Sequence, residues 1–320
     1  MDILIKKDQD GVTVLQYIKR NLSISAAHLK RLKFSVDGIR VNGEHVTVRR
    51  VLREGDLLSL ATEDREEDCN VEPIDLPLRI VYEDGDCIVP SKPHDMPTHP
   101  SHDHYDDTVA NALAYRYAQL SQPFVFRPVN RLDRNTSGLL LVARNRISAG
   151  RLSRCMAEGD IRKVYIAVLS GRLPQSQGSI ETYMRRTAQS IIVRENCGAD
   201  EGGDYALTEY RVLCECGEYS LVAASPITGR THQLRVHFAG MGAPILGDDM
   251  YGESSSLIDR HALHSMLLSF PDGKGGKVTV RDKLPEDMER VILQLFDGNA
   301  ELHDLQDECE KLLFERDLKC

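Results

Sequence analysis

The chain has 320 residues and a formal net charge of -9. Its length suits about two domains, and its composition excludes collagen-like, disordered and disulfide-scaffold classes. No apolar run approaches the ~20 residues that cross a bilayer, and Met1 to Lys7 lack the apolar stretch of a signal peptide, so a cytoplasmic protein without a membrane partner is expected.

The charge is unevenly spread. Residues 1–60 carry 11 Lys and Arg against 7 Asp and Glu, and residues 127–166 carry 9 against 3. Residues 61–110 carry 3 against 14, and residues 284–320 carry 4 against 11. Two basic islands therefore persist in an acidic chain, and such islands are what phosphate contact requires. The eight cysteines are scattered without a repeated Cys-x-x-Cys spacing, which argues against a zinc module.

In residues 1–60 the spacing of Val14, Leu15, Ile18 and Leu22 predicts a helix over 12–21. Ser23 or Ser25 can cap a second helix running to Phe34. Its outer face would show His28, Lys30, Arg31 and Lys33. A strand is expected at Ile39 to Val41, a hairpin turn at Asn42-Gly43, and further strands over 46–52 and 56–60. This order resembles the RNA-binding domain of the ribosomal protein S-four type. The resemblance rests on Ser25-Ala26-Ala27-His28-Leu29-Lys30, Val41-Asn42-Gly43 and Gly55-Asp56. It implies that Lys30, Arg31 and Lys33 meet RNA. The acidic run at 61–72 reads as a linker.

Residues 73–285 read as a mixed sheet. Strands are expected at 78–82 and 87–89, and a helix over 108–117. Between them, His94, His99, His102 and His104 stand among prolines. Proline forbids a regular element that would aim these rings at one point, so a stiffened loop is expected in preference to a metal site. Arg127 to Gly138 sets Asp133 between Arg131 and Arg134 and runs into the apolar segment 139–143, expected to be a buried strand. An acid beside fixed positive charge at the mouth of a strand is how a nucleophilic carboxylate is presented. A helix over 147–158 should end at Gly159. On a strand over 163–169, Lys163, Tyr165 and Ala167 share one face. Strands at 180–185, 190–194, 206–214 and 219–224 follow, with a mobile loop expected at 198–204. Thr231 is expected to cap a helix that puts Thr231 and Arg235 on one face. Strands at 267–270 and 278–280 close the unit. Residues 286–320 form an acidic tail of two helices, expected to pack on the preceding domain.

Five motifs occur in order: Asn130-Arg131-Leu132-Asp133-Arg134-Asn135-Thr136-Ser137-Gly138, Lys163-Val164-Tyr165, Gly229-Arg230-Thr231-His232-Gln233-Leu234-Arg235, Pro244 to Gly252, and Arg260-His261-Ala262-Leu263-His264. Together they resemble the RluA family of pseudouridine synthases over about residues 78–285. The resemblance implies an α+β fold with a mixed, mainly antiparallel sheet, and isomerisation of uridine in structured RNA, with ribosomal RNA the expected substrate, without metal or cofactor. It implies Asp133 as the catalytic aspartate, Tyr165 as the residue that stacks on the base and is implicated in proton removal, and Arg235 as the partner of Asp133. Leu234 would line the base pocket, and Arg131 would fill the space left by the flipped nucleotide. Asn130 stands where the family usually has His, and Ser91 where Asn is commoner. Attack on the sugar and elimination across it both remain open as routes. A catalytically silent RNA-binding protein and a glycosidase using Asp248 or Asp249 as second acid are the competing readings. A monomer is expected.

Overall fold

The computed structural model describes residues 1–22, 24, 26–35, 37–61, 68–69, 71–190, 192–296 and 304–314. Ser23 and Ser25, most of the acidic run and Leu302 lie outside the described residues, as does the side chain of His28.

The amino-terminal part has strands Asp2–Leu4 (β1), Ile39–Val41 (β2), Glu44–His45 (β3) and Leu57–Leu60 (β4), and helices Val14–Asn21 (α1) and Ala26–Phe34 (α2). The sheet order is β1-β4-β2-β3, antiparallel throughout. Asn42 and Gly43 turn the hairpin with φ of 54° and 84°. The strand expected over 46–52 is absent, for a definite reason. Its carbonyls satisfy the free N–H groups at the start of α1: Val14 N–H donates to Arg50 O at 2.9 Å and Leu15 N–H to Val48 O at 3.0 Å. Thr13, accepting from Gln16 N–H at 3.3 Å, completes that cap.

The larger part is built on strands Arg79–Glu83 (β5), Cys87–Lys92 (β6), Ser137–Leu139 (β7), Val142–Ala143 (β8), Arg162–Ser170 (β9), Gln177–Arg186 (β10), Arg194–Cys197 (β11), Asp204–Cys216 (β12), Tyr219–Pro226 (β13), Leu263–Pro271 (β14) and Lys277–Arg281 (β15). Among the described residues they form one sheet in the order β11-β10-β12-β13-β9-β14-β7-β6-β5, with β15 on β14 and β8 on β6. Among the described pairs only β14–β7 is parallel, so the sheet is mixed and mainly antiparallel. Helices Val109–Gln119 (α3), Arg146–Glu158 (α4), Gln233–Gly240 (α5), Glu286–Phe296 (α6) and Asp304–Phe314 (α7) accompany it. Helix α4 ends at Gly159 with φ 82°, as expected. Met288, Val291, Ile292 and Phe296 of α6, with Leu305, Cys309, Leu312 and Leu313 of α7, enter the main apolar core.

Two expectations need correction. Segment 139–143 is fully buried but is not one strand: β7 and β8 are separated because Leu141 turns its backbone to the segment that carries Asp133. The strand expected over 190–194 begins only at Arg194; Ser190, Ile192 and Val193 precede it outside any strand, and Ile191 lies outside the described residues. The segment 198–204, expected as a mobile loop, contains a short 3-10 turn at Ala199–Glu201.

Gly138 sits in β7 at φ 111°, and a Cβ there would lie 2.3 Å from Ser265 O. Gly138→Ala should therefore separate the parallel β7–β14 pair and cost about 3 kcal/mol in urea unfolding. An unchanged unfolding midpoint would contradict this account of the sheet.

Candidate active site

The course of residues 127–136 is set by the strand that follows. Val129 N–H donates to Leu141 O at 2.8 Å, and Ala143 N–H donates to Arg127 O at 2.9 Å. Asn130 completes the register, its Oδ1 accepting from Leu141 N–H at 2.7 Å. Its Nδ2 is buried without a partner among the described residues. At this departure from the family pattern the side chain works through a carbonyl oxygen, and that contact needs no titrating group. Ser91, the other departure, donates to Asp282 at 2.6 Å.

The proline-rich loop braces the segment from the other side. Thr98 Oγ1 donates to Leu132 O at 2.9 Å. Lys92, fully buried, donates to Pro93 O, Met96 O and Arg134 O at 2.8 to 2.9 Å. Burial pulls its ammonium down to about 7, while the Asp133 charge acts the other way. Three carbonyl acceptors use all three ammonium hydrogens, so the charged form is the one this loop requires. Thr136 N–H closes a turn on Asp133 O at 3.1 Å, and Thr136 Oγ1 lies 2.8 Å from His261 Nε2.

Asp133 is thereby held at a cleft of about 550 Å³, counting its open mouth. Its side chain is 20% exposed. Arg131, Tyr165, Leu234 and Arg235 line the same cleft. Five residues predicted from three separate stretches of chain thus converge. Lys30, Arg31 and Lys33 do not line it: they lie on α2 of the small sheet. Lys30 and Lys33 are exposed, whereas Arg31 donates to both carboxylate oxygens of Asp68 at 2.6 Å.

Arg235 comes within 3.8 Å of Asp133 Oδ2 through Nη1. Its closest carboxylate is another. Nε and Nη2 donate to the two oxygens of Asp248, each at 2.7 Å. Asp248 also accepts from Met250 N–H at 3.1 Å and Tyr251 N–H at 3.2 Å. Burial alone would raise its carboxyl, but the Arg235 hydrogen bonds and charge outweigh that and hold it below the usual carboxylate range. Sequence reading treated Asp248 only as a conceivable second acid. The signal for its real partner was the glycine-bracketed acid pair of Gly247 to Gly252, which gives no direction for the side chain.

Helix α5 does not start on a Thr231 cap. His232 precedes it with φ 59°, in the left-handed region, and no side-chain cap is made. That turn carries His232 Nε2 to 3.9 Å from Asp133 Oδ2 and Nδ1 to 2.8 Å from the Tyr251 hydroxyl. Gln233 secures the turn, its Oε1 accepting from Arg230 N–H at 3.0 Å and its Nε2 donating to Leu207 O at 2.9 Å. The Tyr251 ring lies 5.1 Å from the Arg235 guanidinium, within cation–π range. Both His232 and Tyr251 fall within the sequence motifs, which assign neither a role.

Tyr165 on β9 is buried, and burial pushes its hydroxyl well above the usual tyrosine value, with the Asp133 charge adding to the effect. It is a neutral phenol at neutral pH, suited to stacking through its face. The two arginines beside Asp133 differ. Arg131 is exposed and lines the cleft, while Arg134 is bound by Asp95 at 2.6 Å.

Asp248→Asn would leave the buried Arg235 without its counter-charge, and a stability loss of about 3 kcal/mol is expected at neutral pH. The sign with pH follows from the lowered carboxyl. The unfolded chain binds the proton first as pH falls, so the pair's contribution is intact above about pH 4 and lost only on further acidification. Urea unfolding of parent and variant at several pH values checks this, and equal stabilities at pH 7 would contradict it.

The RNA pseudouridylate synthase profile matches residues 86–240. An uncharacterised RNA pseudouridine synthase of Bacillus subtilis is 37% identical, covering 88% of this chain and 98% of its own length. The ribosomal large subunit pseudouridine synthase D of Vibrio cholerae is 34% identical, covering 80% of this chain and 83% of that protein. The human RNA pseudouridylate synthase domain containing 1 structure superposes with a TM-score of 0.53 at 30% identity, covering 70% of this chain and 97% of that one. With these likenesses and with Asp133, Tyr165 and Arg235 gathered at one cleft, the chain belongs to the RluA-type RNA pseudouridine synthases, which are isomerases.

Proposed function

We propose that the chain isomerises particular uridines of large-subunit ribosomal RNA to pseudouridine, with Asp133 as the catalytic carboxylate. The convergence of Arg131, Asp133, Tyr165, Leu234 and Arg235 on one cleft carries this reading. Asp133 acts at the ribose, by attack or by promoting elimination, and the N-glycosidic bond breaks. Tyr165 holds the detached uracil by stacking while it turns, and Leu234 closes the apolar side of the pocket. The bond to C5 then forms, C5 gives up its hydrogen as a proton and the freed N1 takes one up, so atoms balance and there is no net redox change. Arg235, immobilised by Asp248, supplies a fixed positive charge to the Asp133 carboxylate. The target base must leave its stack, at a cost of a few kcal/mol. Arg131, exposed beside the cleft, enters the vacated space and offsets part of that cost.

A second groove supports an RNA substrate. Arg185, Arg186, Arg194 and Arg230 line it, and it meets the catalytic cleft at Gly229, Arg230 and Thr231. Phosphate contact is the expected use of such a surface. The amino-terminal sheet and helices serve as an RNA-binding module of the S-four type, with Lys30 and Lys33 exposed toward solvent. Arg31 joins them if RNA releases it from Asp68. The ribosomal target follows the names of relatives such as the Vibrio cholerae enzyme. We assign the reaction to the cytoplasm; Cys87, Cys155, Cys197, Cys214, Cys216 and Cys309 are free thiols, which suits a reducing compartment.

The glycosidase reading is disfavoured by Asp248, whose two oxygens are occupied by Arg235. Pseudouridine mapping of total RNA from cells with and without the gene tests the proposal. One or a few large-subunit ribosomal positions should lose the modification, and an unchanged map would contradict it.

A further inference from the structure

Lys163 carries a charge that the protein does not answer. It lies on β9, two residues before Tyr165 and on the same strand face, with side chains about 7 Å apart. It is only 7% exposed, yet it lines the catalytic cleft. Among the described residues its ammonium has no hydrogen bond and no ion pair. Its Nζ faces the open backbone of Gly229, where an added Cβ would stand 3.9 Å away. The other ionisable groups on this cleft are Arg131, Asp133, Tyr165, Arg230, His232 and Arg235. None of them bonds to Lys163.

Neighbouring buried cations are treated differently. Lys92 has three carbonyls, Arg235 has Asp248, and Arg162 stands 3.7 Å from Glu209. A buried cation without a partner costs several kcal/mol. Such a group is retained where a ligand completes the pairing. Burial pulls its ammonium down to about 8, and an anion bound in the cleft would favour the charged form.

The substrate brings the missing charge. Breaking the glycosidic bond leaves the bonding pair on uracil N1 and spreads negative charge to O2 and O4. The same nucleotide carries a phosphate. We propose that Lys163 binds an anionic oxygen of the flipped nucleotide and receives from it the counter-charge absent in the free protein. This rests on the isomerase reading above. It adds a substrate-binding residue beside Tyr165.

The test uses the full chain, an RNA that the parent modifies, and the variants Lys163→Met and Lys163→Arg. A lysine kept for its ligand leaves a protein as stable as the parent, or more so, when removed. Lys163→Met should therefore keep or raise the unfolding midpoint while kcat/KM falls about 100-fold. Lys163→Arg should recover part of that loss and remove the fall in activity above about pH 8. If the oxygen is a phosphate, RNA affinity drops and the slope of log K against log salt becomes shallower by ~0.7–0.9. If it is a uracil oxygen, affinity holds and the single-turnover rate at saturating RNA falls. Parent-like affinity and rate in Lys163→Met would overturn the proposal. So would a variant that loses stability together with activity, because the lysine would then serve the fold. The parent's own conversion of the RNA, measured alongside, tests the isomerase reading separately.

Discussion

Arg235 brings a guanidinium into a nearly dry interior, and Asp248 makes that position tenable. The two parallel hydrogen bonds fix the plane of the guanidinium and leave Nη1 directed toward Asp133. Asp133 therefore meets a charge whose position is already decided. It does not have to hold the arginine itself, and its carboxylate remains open to the cleft. The Tyr251 ring beside Arg235 and the Tyr251 hydroxyl on His232 extend the same arrangement to the start of α5. Such preorganisation is where electrostatic catalysis gains most of its effect.

The acid itself is positioned by backbone contacts rather than by its neighbours in sequence. Asn130 and Val129 tie one side of the loop to Leu141, and Thr98 and Lys92 tie the other. The interruption between β7 and β8 follows from this, since Leu141 cannot serve the sheet ladder and the loop together. Asn130 also changes meaning. As a replacement for His it looked like a lost titrating group, but its observed contact is an amide oxygen on a backbone N–H. Arg131 and Arg134 separate for the same reason: Asp95 holds Arg134 on the brace side, and Arg131 is left at the cleft.

Much of the fold was legible because local chemistry and periodicity agreed. The alternation of β9, the Gly159 stop of α4 and the Asn42-Gly43 hairpin each carry a short-range signal that the structure reproduces. The motifs marked the cleft residues, including Tyr165 and Arg235. What escaped was decided at long range. Residues 46–52 have strand character, but their carbonyls meet the free end of α1. His232 adopts a left-handed backbone that its residue type does not announce, and Thr231 loses its expected cap. Asp248 and Arg235 are 13 residues apart, and nothing local says that this acid, rather than Asp133, takes the bidentate bond.

The central claim is that one carboxylate at this cleft does the chemistry while the surrounding structure only presents it. Single-turnover conversion of a verified RNA site by Asp133→Ala measures that most directly, alongside RNA affinity and unfolding midpoint. Binding and stability close to the parent with no detectable pseudouridine is the predicted result. Conversion at the parent rate by Asp133→Ala would contradict the account.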